Sequence, residues 1–247
     1  MEATTADYLD GVTPFMTYYM TVSGHMEYTF DGNSIAHKNK DLVSHLPYSE
    51  TVKAYYACNI EFDRAMEKLL DDLAAAGVAD KTLIAITPDH YPYGLEDKTE
   101  ENIYRYIEEL AGTQIDPTFE LYRSCFLLYS PSMTEPVTVD KYCSTLDIIP
   151  TLNNLLGFSY DSRLLMGRDI LSDSAPLVIF LDRSFICEKG KYNAETDTFT
   201  PFDGQTATTA YIEEMETRVR NKFKVSAAML ETDYYSLVTD RKHLYSK

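Results

Sequence analysis

Between Ser49 and Gly77 apolar residues recur at three- and four-residue steps, and the stripe runs almost directly into a wholly apolar stretch, Leu83-Ile84-Ala85-Ile86. The stripe is Val52, Tyr55, Tyr56, Phe62, Met66, Leu69, Leu70 and Leu73, with Asn59 the one polar intruder. Its length predicts a helix of about seven turns. Ser49 is placed to cap it, Glu50 suits its positive end, and Gly77 stops it. After a tight turn at Asp80-Lys81, the apolar stretch reads as a buried strand over 82–87. Helix, turn and buried strand make half of a βαβ unit. The aromatic, β-branched run over 14–22 is expected to supply the other strand. The chain therefore reads as α/β, with a mostly parallel sheet flanked by helices.

The remaining elements follow from local signals. Residues 3–10 read as a short helix ended by Gly11, residues 31–48 as a surface loop, 99–110 as a polar helix and 124–129 as a third strand. Asp147 is placed to cap a helix that has Pro150 in its first turn and Gly157 as its left-handed stop. From 172 the character changes. Short strands at 176–181, 184–187, 191–193 and 198–200 predict an antiparallel meander. A helix over about 206–231 follows, with the stripe Ile212, Met215, Val219, Phe223, Ala227 and Leu230. Glu214 with Arg218, and Glu216 with Arg220, are expected i,i+4 pairs on its wet face. The expected division is an α/β part over 1–171 and a small antiparallel-plus-helix subdomain over 172–247.

A chain of 247 residues buries about 70–75% of its unfolded surface, enough for a core without staples. The formal net charge of −17 repels phosphate backbones and anionic lipid, so nucleic acid is not an expected partner. Cys58, Cys125, Cys143 and Cys187 form no C-x-x-C and read as free thiols. No apolar run reaches membrane-spanning length, and the first residues lack the basic and apolar regions of a signal peptide.

The chemistry-bearing residues stand at strand ends. Asp89-His90 follows the 82–87 strand, where open α/β sheets place their ligands. A carboxylate and an imidazole can share a divalent metal, but a catalytic metal takes at least three protein donors. The alternative is that Asp89 caps the next turn and His90 is partly buried. His25 follows the 14–22 run; it binds a phosphoryl oxygen, shuttles a proton, or is a satisfied loop histidine. His37, His45 and His243 lie in polar or terminal segments. Arg163 and Arg168 flank Met166-Gly167 and either contact an anion or form salt bridges. There is no G-x-S-x-G elbow and no phosphate loop, and no nucleophile stands beside a base.

Taken together, several segments resemble the lipoteichoic acid synthase branch of the sulfatase/alkaline phosphatase superfamily. They are Ser23-Gly24-His25-Met26-Glu27-Tyr28, Pro88-Asp89-His90-Tyr91-Pro92-Tyr93-Gly94, Ser144-x-x-Asp147-Ile148-x-Pro150-Thr151, Leu155-Leu156-Gly157 and Met166-Gly167-Arg168-Asp169. The likeness runs in order over about residues 12–200. It implies a metal-dependent phosphoglycerol transferase acting on glycerol-phosphate lipids or polymers of the cell envelope. It further implies a membrane-anchored parent protein with an outward catalytic domain. The implied metal is manganese, with zinc or magnesium as alternatives, held by a glutamate, a nucleophilic threonine and an Asp-His pair that Asp89 and His90 match. His25 matches the family's substrate histidine, although Gly24 precedes it where a polar residue is usual. The glutamate and threonine lie upstream in the family, and only 24 residues precede His25 here. The resemblance therefore implies the carboxyl half of a catalytic domain, inactive alone, a weak binder of metal, and prone to self-association at an open sheet edge. A sulfatase or phosphodiesterase-type hydrolase and a non-catalytic scaffold are the competing functions.

Overall fold

A computed structural model describes residues 3–10 and 12–238. Gly11 and His243 lie outside them. Cα packing divides the chain into two compact units, Met1–Pro136 and Val137–Lys247. The expected change of character at 172 falls inside the second unit, where the first strand of the meander begins at Leu177.

The first unit contains α1 (Ser34–Lys38), α2 (Lys40–Val43), α3 (Glu50–Ala75), β1 (Ile84–Ile86), α4 (Arg105–Ala111) and β2 (Leu127–Tyr129). Helix α3 is the predicted long helix. The Ser49 hydroxyl accepts from the Val52 N–H at 3.3 Å. Gly77 takes φ +69°, and the N–H groups of Gly77 and Val78 close on the carbonyls of Ala74 and Leu73. The amino half of the helix buries Val52, Ala54, Ala57 and Cys58 more completely than the aromatic stripe residues Tyr55, Tyr56 and Phe62. The small side chains of Ala54, Ala57 and Cys58 let α1 and α2 approach, and Phe30, Ala36 and Val43 complete one core cluster. The 31–48 stretch is thus not the surface loop its polar residues suggest. Asn33 caps α1 by accepting from Ile35 N–H and Ala36 N–H at 3.0 and 3.1 Å. Asn39 is buried and donates to the carbonyl of Ala57 and to Glu61 Oε1, both at 3.0 Å.

Strands β1 and β2 pair antiparallel, with Ala85 opposite Leu128. The ladders formed by the described residues are all antiparallel. The expected strand over 14–22 does not form: the segment joins no ladder. Phe15 and Tyr19 fold back on Tyr8, with ring centroids 4.9 and 6.5 Å away. Met16, Tyr18, Met20 and Val22 stay between 71% and 94% exposed. A second core of Leu95, Ile107 and Leu121 is ringed by Tyr28, Tyr55, Tyr91 and Tyr104. The helix expected over 99–110 is confined to α4, closed by Gly112 at φ +69°.

In the second unit a capping box of Ser144 and Asp147 opens a 3-10 turn that runs into α5 (Ile148–Leu155). Pro150 is buried in its first turn and Gly157 ends it at φ +70°. Strands β3 (Leu177–Ile179), β4 (Phe185–Cys187), β5 (Gly190–Asn193) and β6 (Thr198–Pro201) form the expected meander in the order β3-β4-β5-β6. Helix α6 (Thr209–Glu231), followed by α7 (Tyr234–Val238), covers it. Phe185, Cys187, Tyr192, Met215 and Val219 make the core between sheet and helix. The stripe of α6 is buried only as far as Phe223; Leu230 is 80% exposed, beyond what four short strands can cover. The expected Glu214–Arg218 pair forms at 2.7 Å. The Glu216–Arg220 pair does not: Glu216 accepts from the Tyr192 hydroxyl at 3.1 Å, and Arg220 donates to Thr217 Oγ1 at 3.0 Å.

Candidate functional site

His25 sits on a turn that α3 shapes. Its N–H donates to the Val22 carbonyl at 3.0 Å. A Cβ on Gly24 would lie 3.2 Å from Asn59 Oδ1, so the turn rests against the one polar residue of the α3 stripe. Asn59 is itself fixed by donating to the Tyr55 carbonyl at 2.9 Å, and the Tyr28 hydroxyl donates to the Gly24 carbonyl at 3.0 Å. This close approach accounts for glycine before the histidine. The His25 ring is exposed and its Nδ1 lies 3.0 Å from the Met26 carbonyl. A carbonyl only accepts, so this bond puts the hydrogen on Nδ1 and leaves Nε2 facing outward.

Asp89 and His90 stand beyond the end of β1, both open to solvent, with side-chain exposures of 77% and 45%. His90 Nδ1 is 2.7 Å from the Tyr91 carbonyl, which again places the hydrogen on Nδ1. Its other nitrogen, Nε2, points at Asp89 Oδ1 across 3.4 Å, and Tyr93 holds the ring at a centroid distance of 4.6 Å. In the neutral ring, two lone-pair atoms therefore face one another. The gap is favourable only when a proton or a metal cation lies between them. A backbone carbonyl on the far nitrogen is the usual device for orienting a metal-binding histidine.

The two sequence-predicted segments adjoin. A Cβ on Gly94 would lie 2.8 Å from Met26 Cβ and 2.8 Å from Tyr28 Cε2. The turn after His90 thus backs directly on the residues that follow His25, and glycine is what permits it. The fit to a metal is partial. Asp89 and His90 offer one hard oxygen and one imidazole nitrogen, suited to a first-row divalent ion. Among the described residues no group of three or more His, Cys, Asp or Glu is gathered to hold one.

Arg163 and Arg168 are engaged within the second unit. Arg163 Nε donates to Asp161 Oδ1 at 2.9 Å, and Arg168 Nη1 donates to the Ala175 carbonyl. The structure reveals what the motif residues around them do. Asp147, 5% exposed, accepts from Ser144 N–H and Arg168 N–H, both at 2.9 Å. Thr151 Oγ1 donates to the Asp147 carbonyl at 2.6 Å and accepts from Ile170 N–H at 3.1 Å. Lys222 reaches the Met166 carbonyl at 2.7 Å, and burial lowers its pKa. These residues clasp the 166–170 segment to the start of α5. The Ser144-x-x-Asp147 spacing was the available signal, since it is that of a capping box.

A protein-family model described as Sulfatase matches residues 4–158. Lipoteichoic acid synthase of Staphylococcus saprophyticus is 30% identical over 192 residues, which is 76% of this chain and 28% of that protein. The lipoteichoic acid synthase of Staphylococcus aureus strain USA300 is 27% identical over 183 residues, 73% of this chain and 26% of its own length. The chain thus spans about a quarter of these relatives. Among solved structures, the lipoteichoic acid synthase LtaP from Listeria monocytogenes superposes with a TM-score of 0.64 at 23% identity. The match covers 85% of this chain and 52% of LtaP, and it shows a shared α/β fold.

Proposed function

The chain belongs to the sulfatase family, and from that premise we propose that it is part of a metal-dependent phosphoglycerol transferase, acting on glycerol-phosphate groups of envelope lipids or polymers. The observation that carries this reading is the pairing of Asp89 Oδ1 with His90 Nε2 at 3.4 Å, with Nδ1 already committed to Tyr91. Asp89 and His90 would hold part of the coordination shell of a divalent ion, manganese by the family resemblance. Such an ion lowers the pKa of a coordinated hydroxyl and neutralises charge on a phosphoryl oxygen. His25, its Nδ1 spent on Met26, turns Nε2 toward solvent and in its protonated form donates to a phosphate oxygen. The nucleophile and the remaining ligands are assigned to polypeptide outside these 247 residues, and the chain alone is expected to be inactive. Among the described residues no helix is long and apolar enough to cross a membrane.

Manganese titration of the 247-residue chain, followed by calorimetry, tests the reading. The expected result is weak binding that falls roughly tenfold or more in Asp89→Ala and in His90→Ala. Unchanged affinity in both variants contradicts it. A second reading, a non-catalytic module that keeps the fold, is favoured by the lack of a three-donor cluster among the described residues. That reading predicts no manganese binding at all.

A further inference from the structure

His25 follows a segment with no regular support: residues 14–22 join no ladder, and Val22 is 71% exposed. An exposed ring on such a segment is expected to sample many orientations. The backbone around His25 is nevertheless pinned. The peptide that joins Gly24 to His25 is held at both edges. Its N–H donates to the Val22 carbonyl, and its carbonyl accepts from the Tyr28 hydroxyl, each at 3.0 Å. On the other side stands Met26, whose carbonyl takes His25 Nδ1. The Met26 side chain lies against Gly94, in the turn that follows His90.

Tyr28 is the residue through which these restraints meet. Among the described residues it alone borders both cores of the first unit, the one around Phe30 and Ala57 and the one around Leu95. Its ring stands edge-on to Tyr55, with centroids 5.1 Å apart and an interplanar angle of 84°. Its Cε2 is an atom that a Cβ on Gly94 would meet at 2.8 Å. A ring held on these sides carries its hydroxyl to Gly24 with little rotamer freedom left to lose. Burial pushes the Tyr28 pKa up to about 12, so the phenol keeps its proton and remains a donor. We propose that Tyr28 is a positioning residue for His25: its hydroxyl fixes the peptide before the histidine, and its ring seats that peptide against the turn that carries His90. The imidazole is thereby presented with Nδ1 on the Met26 carbonyl and Nε2 outward, at a set separation from Asp89 and His90. That Nε2 meets a phosphate oxygen rests on the function proposed above; the positioning does not.

The test is nitrogen NMR of the histidine rings in the isotope-labelled 247-residue chain, without metal, at about pH 8.5, where imidazole is neutral. The His25 signals are assigned by their loss in His25→Ala. The parent chain is expected to show His25 as a single tautomer with the hydrogen on Nδ1. Tyr28→Phe keeps the ring and its packing and removes only the hydroxyl. It should turn His25 into a mixture of the two tautomers while His90 keeps its hydrogen on Nδ1. Tyr55→Phe removes the other phenol of the same aromatic pair and should leave His25 as in the parent chain. A mixed His25 tautomer in the parent chain overturns the proposal whatever the variants do. So does a single tautomer retained in Tyr28→Phe, a change in His90 that accompanies that of His25, or an equal change in Tyr55→Phe. Failure of the chain to bind manganese bears on the proposed function alone, because the tautomer is read without the ion.

Discussion

Glu61 shows how single contacts set the chemistry of single groups here. Asn39 donates to its carboxylate at 3.0 Å, Lys38 at 3.1 Å and Arg64 at 2.5 Å. Together they hold its pKa down to about 2, with the Asn39 hydrogen bond the largest cause. An unfolded glutamate titrates near 4.3. The folded value is the lower one, so the stabilisation is complete above about 4.3 and is lost as pH falls toward 2. Urea denaturation of the parent chain and Glu61→Gln should therefore show a stability gap that closes between about pH 4.5 and 2. A gap that stays constant across that window contradicts the assignment. The same economy of contacts orients His25 and His90: in each, Nδ1 is tied to the carbonyl of the next residue, and Nε2 is left for chemistry.

At the scale of elements, the clasp at the start of α5 makes the sharpest demand. A Cβ on Gly167 would lie 1.9 Å from the Leu146 carbonyl oxygen. The obstacle is backbone on both sides, so it cannot swing away. Gly167→Ala is expected to cost about 2–3 kcal/mol in denaturant unfolding, and a loss under about 0.5 kcal/mol would show the contact to be slack. Elements set by local signals were legible in the sequence: α3 with its cap and stop, α5 with Pro150 and Gly157, the four-strand meander, and α6. Misread elements depended on distant partners. The polar residues of 31–48 look like a loop until Asn33 and Asn39 are seen capping and bridging against α3. The 14–22 run carries every strand signal, but a strand needs a neighbour, and pairing direction is not written in residue periodicity. Arg220 was read from its helical spacing alone, which is blind to Tyr192 arriving from the sheet. At the candidate site, the Asp-His dipeptide and His25 stood out by type and position. The contributions of Gly24, Asn59 and Gly94 appear only when α3 and the turn at 92–94 are brought against residues 24–28.

At the scale of the whole molecule, the open 14–22 segment sits uneasily with a chain carrying a net charge of −17. Its backbone lies in no ladder, and one side of it is a row of exposed Met16, Tyr18, Met20 and Val22. Such an edge pairs with another strand when electrostatics allow. Sedimentation at rising salt should therefore show self-association that grows as the charge is screened, and Tyr18→Lys should suppress it. A monomer at every salt concentration contradicts this. The deeper question is whether the rim of this fold holds a cation at Asp89 and His90. Pulsed electron paramagnetic resonance of manganese bound to the chain reads it directly, through the coupling of the ion to imidazole nitrogen. The predicted spectrum contains one coupled imidazole, present in the parent chain and in His25→Ala and lost in His90→Ala. Absence of nitrogen coupling in the parent chain, or its persistence in His90→Ala, would contradict the account.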